Sequence, residues 1–174
     1  MQRQAGFTLV ELLVTLAVLA VLLGVGVPAF RGSLERQRIS AAIFTVAAQF
    51  ATARNSAITR REVVSLCPSP GGEGCAEGLD WSSGWLMYGG AHRASQPESP
   101  EAVLRHFPPP GHASLRVHSS TGRRALHFLP DGRSAGSNLR LRICLGGALR
   151  GEVVVNNLGR IRSRRLPGWQ TCDG

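Results

Sequence analysis

Residues 6–30, GFTLVELLVTLAVLAVLLGVGVPAF, decide the fold: one acid, Glu11, opens an otherwise uncharged run, and no further charge appears until Arg31. The nineteen residues between them are mostly Leu, Val and Ala, and at ~1.5 Å per residue a helix of that length covers a hydrocarbon core about 30 Å thick. The segment spans or anchors. A carboxylate at the edge of such a run costs roughly 2.5–3.5 kcal/mol on insertion scales and persists where a partner neutralises it. An ordinary secretory signal, with Arg3 as its basic region and Val27-Pro28-Ala29 as a poor cleavage site, conflicts with the internal acid and with the helical pattern that continues beyond it. A plain membrane anchor leaves Gly6-Phe7-Thr8 and Glu11 without a reason.

Beyond the span, Ile39, Ile43, Val46, Phe50 and Ala57 recur at steps of four, three, four and seven, with Arg36, Arg38, Gln49, Arg54 and Asn55 falling largely elsewhere. That periodicity is an amphipathic helix. The two segments form one long helix from about Thr8 to Arg60, with Gly24, Gly26 and Pro28 as points where it can bend. After Arg61 the pattern changes to REVVSLC, GWLMY, AVLRHF, SLRVHS, ALHFL, LRLRICL and GEVVVN, separated by Gly, Pro, Ser and Asn. These are strands. Leu139, Leu141 and Ile143 alternate with Arg140 and Arg142, as in antiparallel sheet wet on one face, and the face opposite the arginines is expected against the helix. The predicted class is α+β: a long N-terminal helix, transmembrane in its first half, packed by its second half against antiparallel sheet.

At 174 residues the chain holds one compact domain beyond the span. Its formal charge is +9, and all twenty basic residues are arginine, a planar, weakly hydrated cation suited to phosphate and carboxylate. The four cysteines, Cys67, Cys75, Cys144 and Cys172, form no Cys-x-x-Cys pair and share no ligand spacing with the five histidines, His92, His106, His112, His118 and His127. Disulfides outside the cytoplasm are expected, and no metal. Three connectivities are open; Cys67 with Cys75 and Cys144 with Cys172 is the favoured one. No Gly-x-Ser-x-Gly, phosphate loop or His-Glu-x-x-His occurs. Trp81, Trp85 and Phe107 are expected in the core or an interface. Neither an enzyme nor a cofactor is expected.

The N-terminal residues resemble the type IV pilins and pseudopilins. In that resemblance MQRQAG is a leader, a prepilin peptidase cuts between Gly6 and Phe7, Phe7 is N-methylated, and Glu11 becomes the fifth mature residue, paired with a neighbour's new N-terminus during filament assembly. Ala53-Arg54, Ala57-Ile58, Leu66-Cys67, Gly84-Trp85, Phe128-Leu129-Pro130-Asp131-Gly132, Leu141-x-Ile143-Cys144 and Gly159-Arg160-Ile161-Arg162 then resemble, in that order, the GspH/FimT branch of minor pilins and pseudopilins. The implied layout is a leader at 1–6, a transmembrane and filament-core helix at 7–30, an amphipathic helix at 31–60, a periplasmic β-rich domain at 61–157 and a basic C-terminal tail at 158–174. The implied location is the inner membrane with the C-terminal domain periplasmic, then the pilus. The implied partners are other pilin subunits and the peptidase.

The tail stands above background, with Arg160, Arg162, Arg164 and Arg165 inside six positions. In an extended segment the first three share one side, about 6.6 Å apart, which suits phosphate contacts that carry no sequence information. Arg140 and Arg142, on a neighbouring strand, would extend the patch. A solvated basic edge that discourages strand aggregation is the plainer reading of the same residues. The segment is similar to the arginine-bearing C-terminal segment, with a Gly-Arg-x-Arg motif, of FimT proteins from naturally transformable bacteria, so the resemblance implies binding of extracellular double-stranded DNA for natural transformation by Gly159, Arg160 and Arg162, extended by Arg164 and Arg165. The rival it leaves open is a structural subunit, FimU-like or GspH-like, that binds no DNA.

Overall fold

The computed structural model describes residues 8–91 and 94–172. Gly6, Phe7 and His92 lie outside them. Two compact units are present, residues 1–37 and 38–174, and helix α1 (Leu9–Arg60) contributes to both. The helix begins at a cap: Glu11 N–H donates to Thr8 Oγ1 at 3.3 Å, and Thr8-x-x-Glu11 is the sequence of a capping box. Helical assignment runs through Pro28 without a break. An apolar window of mean hydropathy 2.6, none of it buried, makes α1 long and apolar enough to cross a membrane.

In the second unit the predicted stripe is the buried face. Ile39, Ile43, Val46, Phe50 and Ala57 are buried, joined by Ala42 and Ala53. They meet two four-stranded antiparallel sheets. The first has order β3-β2-β1-β5, from β1 (Val63–Pro68), β2 (Trp85–Gly90), β3 (Val103–Phe107) and β5 (Leu126–Phe128). The second has order β4-β6-β7-β8, from β4 (Leu115–Ser119), β6 (Leu139–Leu145), β7 (Ala148–Val155) and β8 (Ile161–Arg165). One apolar cluster joins the helix stripe to Leu66 and Phe128 of the first sheet and to Leu139, Leu141, Ile143 and Val153 of the second. Phe50 is its centre, with edge contacts to Trp81 and Trp85 at ring-centroid distances of 6.0 and 6.5 Å. Burying each such side chain contributes roughly 1.5–3 kcal/mol.

Gly151 shows how closely the helix approaches. A Cβ there would stand 2.3 Å from Ile43 Cδ1, so glycine lets β7 pass under α1 without displacing the Ile43 side chain. The cysteines pair as favoured: Cys67 with Cys75 and Cys144 with Cys172.

The described part of the C-terminal segment, residues 158–172, departs from one expectation. Instead of a separate tail, this segment supplies the edge strand of the second sheet, β8, paired antiparallel with β7 from Val155↔Ile161 to Gly151↔Arg165. The chain then stays on β7: Leu166 N–H donates to Arg150 O, Leu149 N–H to Gln170 O, and Cys172 N–H to Gly147 O. A ladder along most of an eight-residue strand, closed by a disulfide to β6, fixes the C-terminal segment without a long apolar run.

Candidate nucleic-acid interface

Strand alternation sorts the arginines. On β6 the inward residues are Leu139, Leu141 and Ile143, all fully buried, so Arg140 and Arg142 project from the opposite, outer face. In register, Arg140 and Arg162 both pair with Val154, while Arg142 and Arg164 both pair with Glu152. Arg140, Arg142, Arg162 and Arg164 therefore form two rows on that face. Along each strand the step is about 6.6 Å, and across β6–β7–β8 it is about 10 Å. His118, opposite Arg142, and Arg116, opposite Cys144, add basic residues on β4, where Asp80 Oδ1 lies 3.8 Å from His118 Nδ1.

Glu152 is the acid in the middle, and its strand context in GEVVVN gave no hint of this position. It is 4% exposed. Its carboxylate accepts from Arg164 Nε at 2.5 Å and lies 3.5 Å from Arg140 Nη1. A buried carboxylate is costly unless its oxygens are matched; here the guanidinium groups cover it and are held in place by it. Arg140 and Arg164 keep about half or more of their side-chain surface in solvent. The face is thus positive, with Glu152 as a buried countercharge and Asp80 as an exposed one beside His118.

Arg160 extends the outer row through the β7–β8 hairpin. Asn156 N–H donates to Arg160 O at 3.2 Å, and Arg160 N–H donates to Asn156 Oδ1 at 2.8 Å. The loop Asn157-Leu158-Gly159 closes with Gly159 at φ 73°, as in three-residue hairpins that end on a left-handed residue. Among the described residues no ion pair is formed by Arg160, Arg162 or Arg165.

Two predicted site residues are placed apart from this face. Arg165 pairs with Gly151, one position out of phase with Arg164, so it belongs to the opposite side of β8. Gly159 is buried, and a Cβ on it would stand 1.9 Å from Gly132 O. The same carbonyl accepts from Arg54 Nε of α1 at 2.8 Å. Arg54, Gly132 and Gly159 thus form one structural knot that seats the hairpin and aims Arg160.

A groove of about 1160 Å³ lies elsewhere on the second unit, lined in part by Arg123, Arg124, Arg133, His127 and Asn157. Burial pulls the Arg123 guanidinium below its ordinary range. Ser65 Oγ lies 2.7 Å from His127 Nδ1, but Ser65 is buried within β1 and cannot serve as an accessible nucleophile. Among the described residues no cluster of His, Cys, Asp or Glu could hold a metal ion.

Comparisons with known proteins agree with this architecture. Residues 42–159 match the family model for type II transport protein GspH, and residues 1–27 match a prokaryotic N-terminal methylation motif. The fold is similar to the crystal structure of the type IV minor pilin FimU of Pseudomonas aeruginosa strain PAO1, with a TM-score of 0.58 and 20% identity over 79% of this chain and 94% of that one. A second crystal form of FimU gives a TM-score of 0.54 at 20% identity, over 76% of this chain and 95% of that one.

Proposed function

The chain belongs to the GspH family of pilin-like subunits, and from that premise we propose that it is a FimT-like minor type IV pilin that binds extracellular double-stranded DNA on the outer face of its second sheet, for natural transformation. The carrying observation is the grid: Arg140, Arg142, Arg162 and Arg164 in two rows, prolonged by Arg160. Cations spaced like this contact phosphates, and such contacts position a duplex without reading its bases. Arg165 faces the other way and is a flanking contact at most.

Membership and the methylation motif imply assembly with other pilins and processing by a prepilin peptidase. We place the cut between Gly6 and Phe7 and the assembly charge at Glu11. The second unit is then periplasmic before assembly, where two disulfides persist, and at the cell surface after it.

A purely structural role, FimU-like or GspH-like, is the second reading. Two observations favour it: Glu152 already offsets part of the positive face, and β8 is an open sheet edge that a neighbouring subunit could extend. Titrating duplexes of unrelated sequence over a salt series separates the two. Equal affinities that fall steeply with salt support the DNA reading, and no measurable binding at low salt supports the structural one.

A further inference from the structure

Trp169 is 88% exposed, the least buried large apolar side chain in the described residues. The other two tryptophans, Trp81 and Trp85, are fully buried in the core. Trp169 ends Pro167-Gly168-Trp169, a short loop between two anchored points: Leu166, bonded to Arg150 O, and Gln170, bonded to Leu149 N. Gly168 is seated against the Arg150 guanidinium, where a Cβ would lie 2.7 Å from Nη1. The loop is therefore held at both ends and in its middle, and the indole is offered to solvent from a fixed base.

Its place in the chain gives this exposure a use. Trp169 lies four residues past Arg165, within about 13 Å of the end of the arginine strand at full extension, a reach of about two nucleotides. A cationic track ending in an exposed aromatic ring is the chemistry that receives unpaired bases, which stack on the ring while arginines follow the backbone. Exposing an indole to water is unfavourable, and an exposed base removes that cost by covering it.

We propose that Trp169 is a stacking platform for unpaired bases, so that the arginine face accepts single-stranded DNA and frayed duplex ends as well as duplex. This rests on the arginine-face reading and deepens it. The full chain in detergent micelles is titrated with oligo(dT) and, separately, with a relaxed, covalently closed circular duplex that has neither free ends nor unpaired bases. Because Trp81 and Trp85 are buried, a change in tryptophan emission reports on Trp169. Oligo(dT) should quench the emission, W169A should weaken oligo(dT) binding about tenfold, and W169F should restore most of it. Binding of the closed circular duplex should stay within about twofold in W169A with the same salt slope, since no charge is lost. If oligo(dT) binds W169A as tightly as the parent, the platform is wrong and the arginine face stands; Trp169 is then better read as a contact for a neighbouring subunit. If neither DNA binds, the arginine-face reading and this one fall together.

Discussion

Arg164 Nε lies 2.5 Å from Oε1 of Glu152, so the one buried acid of the second sheet is matched by an arginine of the edge strand. The same carboxylate faces Arg140 on the neighbouring strand β6. One acid thereby links the edge strand to the sheet interior and lowers the charge of the face it organises. Its removal should act in opposite directions on stability and on DNA.

Glu152→Gln keeps an acceptor but removes the charge. Hydrogen bonds to charged groups contribute about 1.5–3 kcal/mol, and both arginines are exposed enough to be resolvated, so a loss of about 1–2 kcal/mol is expected. Urea unfolding measures it. Arg140 and Arg164 are then released to phosphate, and the slope of log K against log salt for duplex DNA should steepen by about one unit. A variant that is less stable and also binds DNA more weakly would contradict this assignment.

Gly159→Ala should fail for a structural reason. The position needs positive φ and allows no Cβ, because Gly132 O occupies the space. Backbone strain of this kind costs about 1–3 kcal/mol before the clash is counted, so the melting temperature should fall by at least several degrees. Arg54→Ala, which removes the bond to the same carbonyl, should lower it by a smaller amount. An unshifted melting curve for Gly159→Ala would return Gly159 to the list of direct contacts.

The two disulfides should differ in weight. Cys144–Cys172 closes a separation of 28 residues and Cys67–Cys75 one of 8. In the chain-entropy model the longer loop contributes about 1 kcal/mol more. Replacing Cys144 and Cys172 together by Ser should cost about 2–4 kcal/mol, and the Cys67/Cys75 pair less. Alkylation of periplasmically produced protein without reductant should label no thiol.

Much of this was legible in the sequence. The stripe Ile39, Ile43, Val46, Phe50 and Ala57 is the buried face because helical periodicity is a strong local signal, and each of the seven predicted runs contains a strand. The eighth strand was not legible. In β8 only Ile161 is even half-buried, and an edge strand held by backbone pairing and a distant disulfide needs no apolar alternation. Glu152 was silent for a related reason: its burial depends on Arg140 and Arg164, which come from two other strands. The side taken by Arg165 follows from β8's register, which no local pattern sets. The role of Gly159 is equally long-range, depending on Gly132 and Arg54.

At the N-terminal end, Thr8 Oγ1 caps α1 by accepting from the Glu11 backbone N–H, whereas the proposed pairing with a neighbour's N-terminus uses the Glu11 carboxylate. Glu11→Ala should leave peptidase processing intact and remove the protein from sheared pili. Glu11→Gln keeps the side chain's length and the backbone N–H that Thr8 caps but not the charge, so it should fail in the same way if charge is what matters.

The central claim is tested most directly by Arg160→Gln combined with Arg162→Gln. Both side chains are exposed and neither forms an ion pair among the described residues, so the fold should be unchanged, and Gln keeps much of the stem while deleting the charge. With each phosphate contact contributing about −0.9, the parent slope of log K against log salt should lie near −3 to −4, and the double variant should flatten it by about two units with uniform loss across DNA sequences. A double variant that binds duplex DNA as tightly as the parent, with the same slope, would contradict the arginine face as the DNA site and leave the structural-subunit reading in its place.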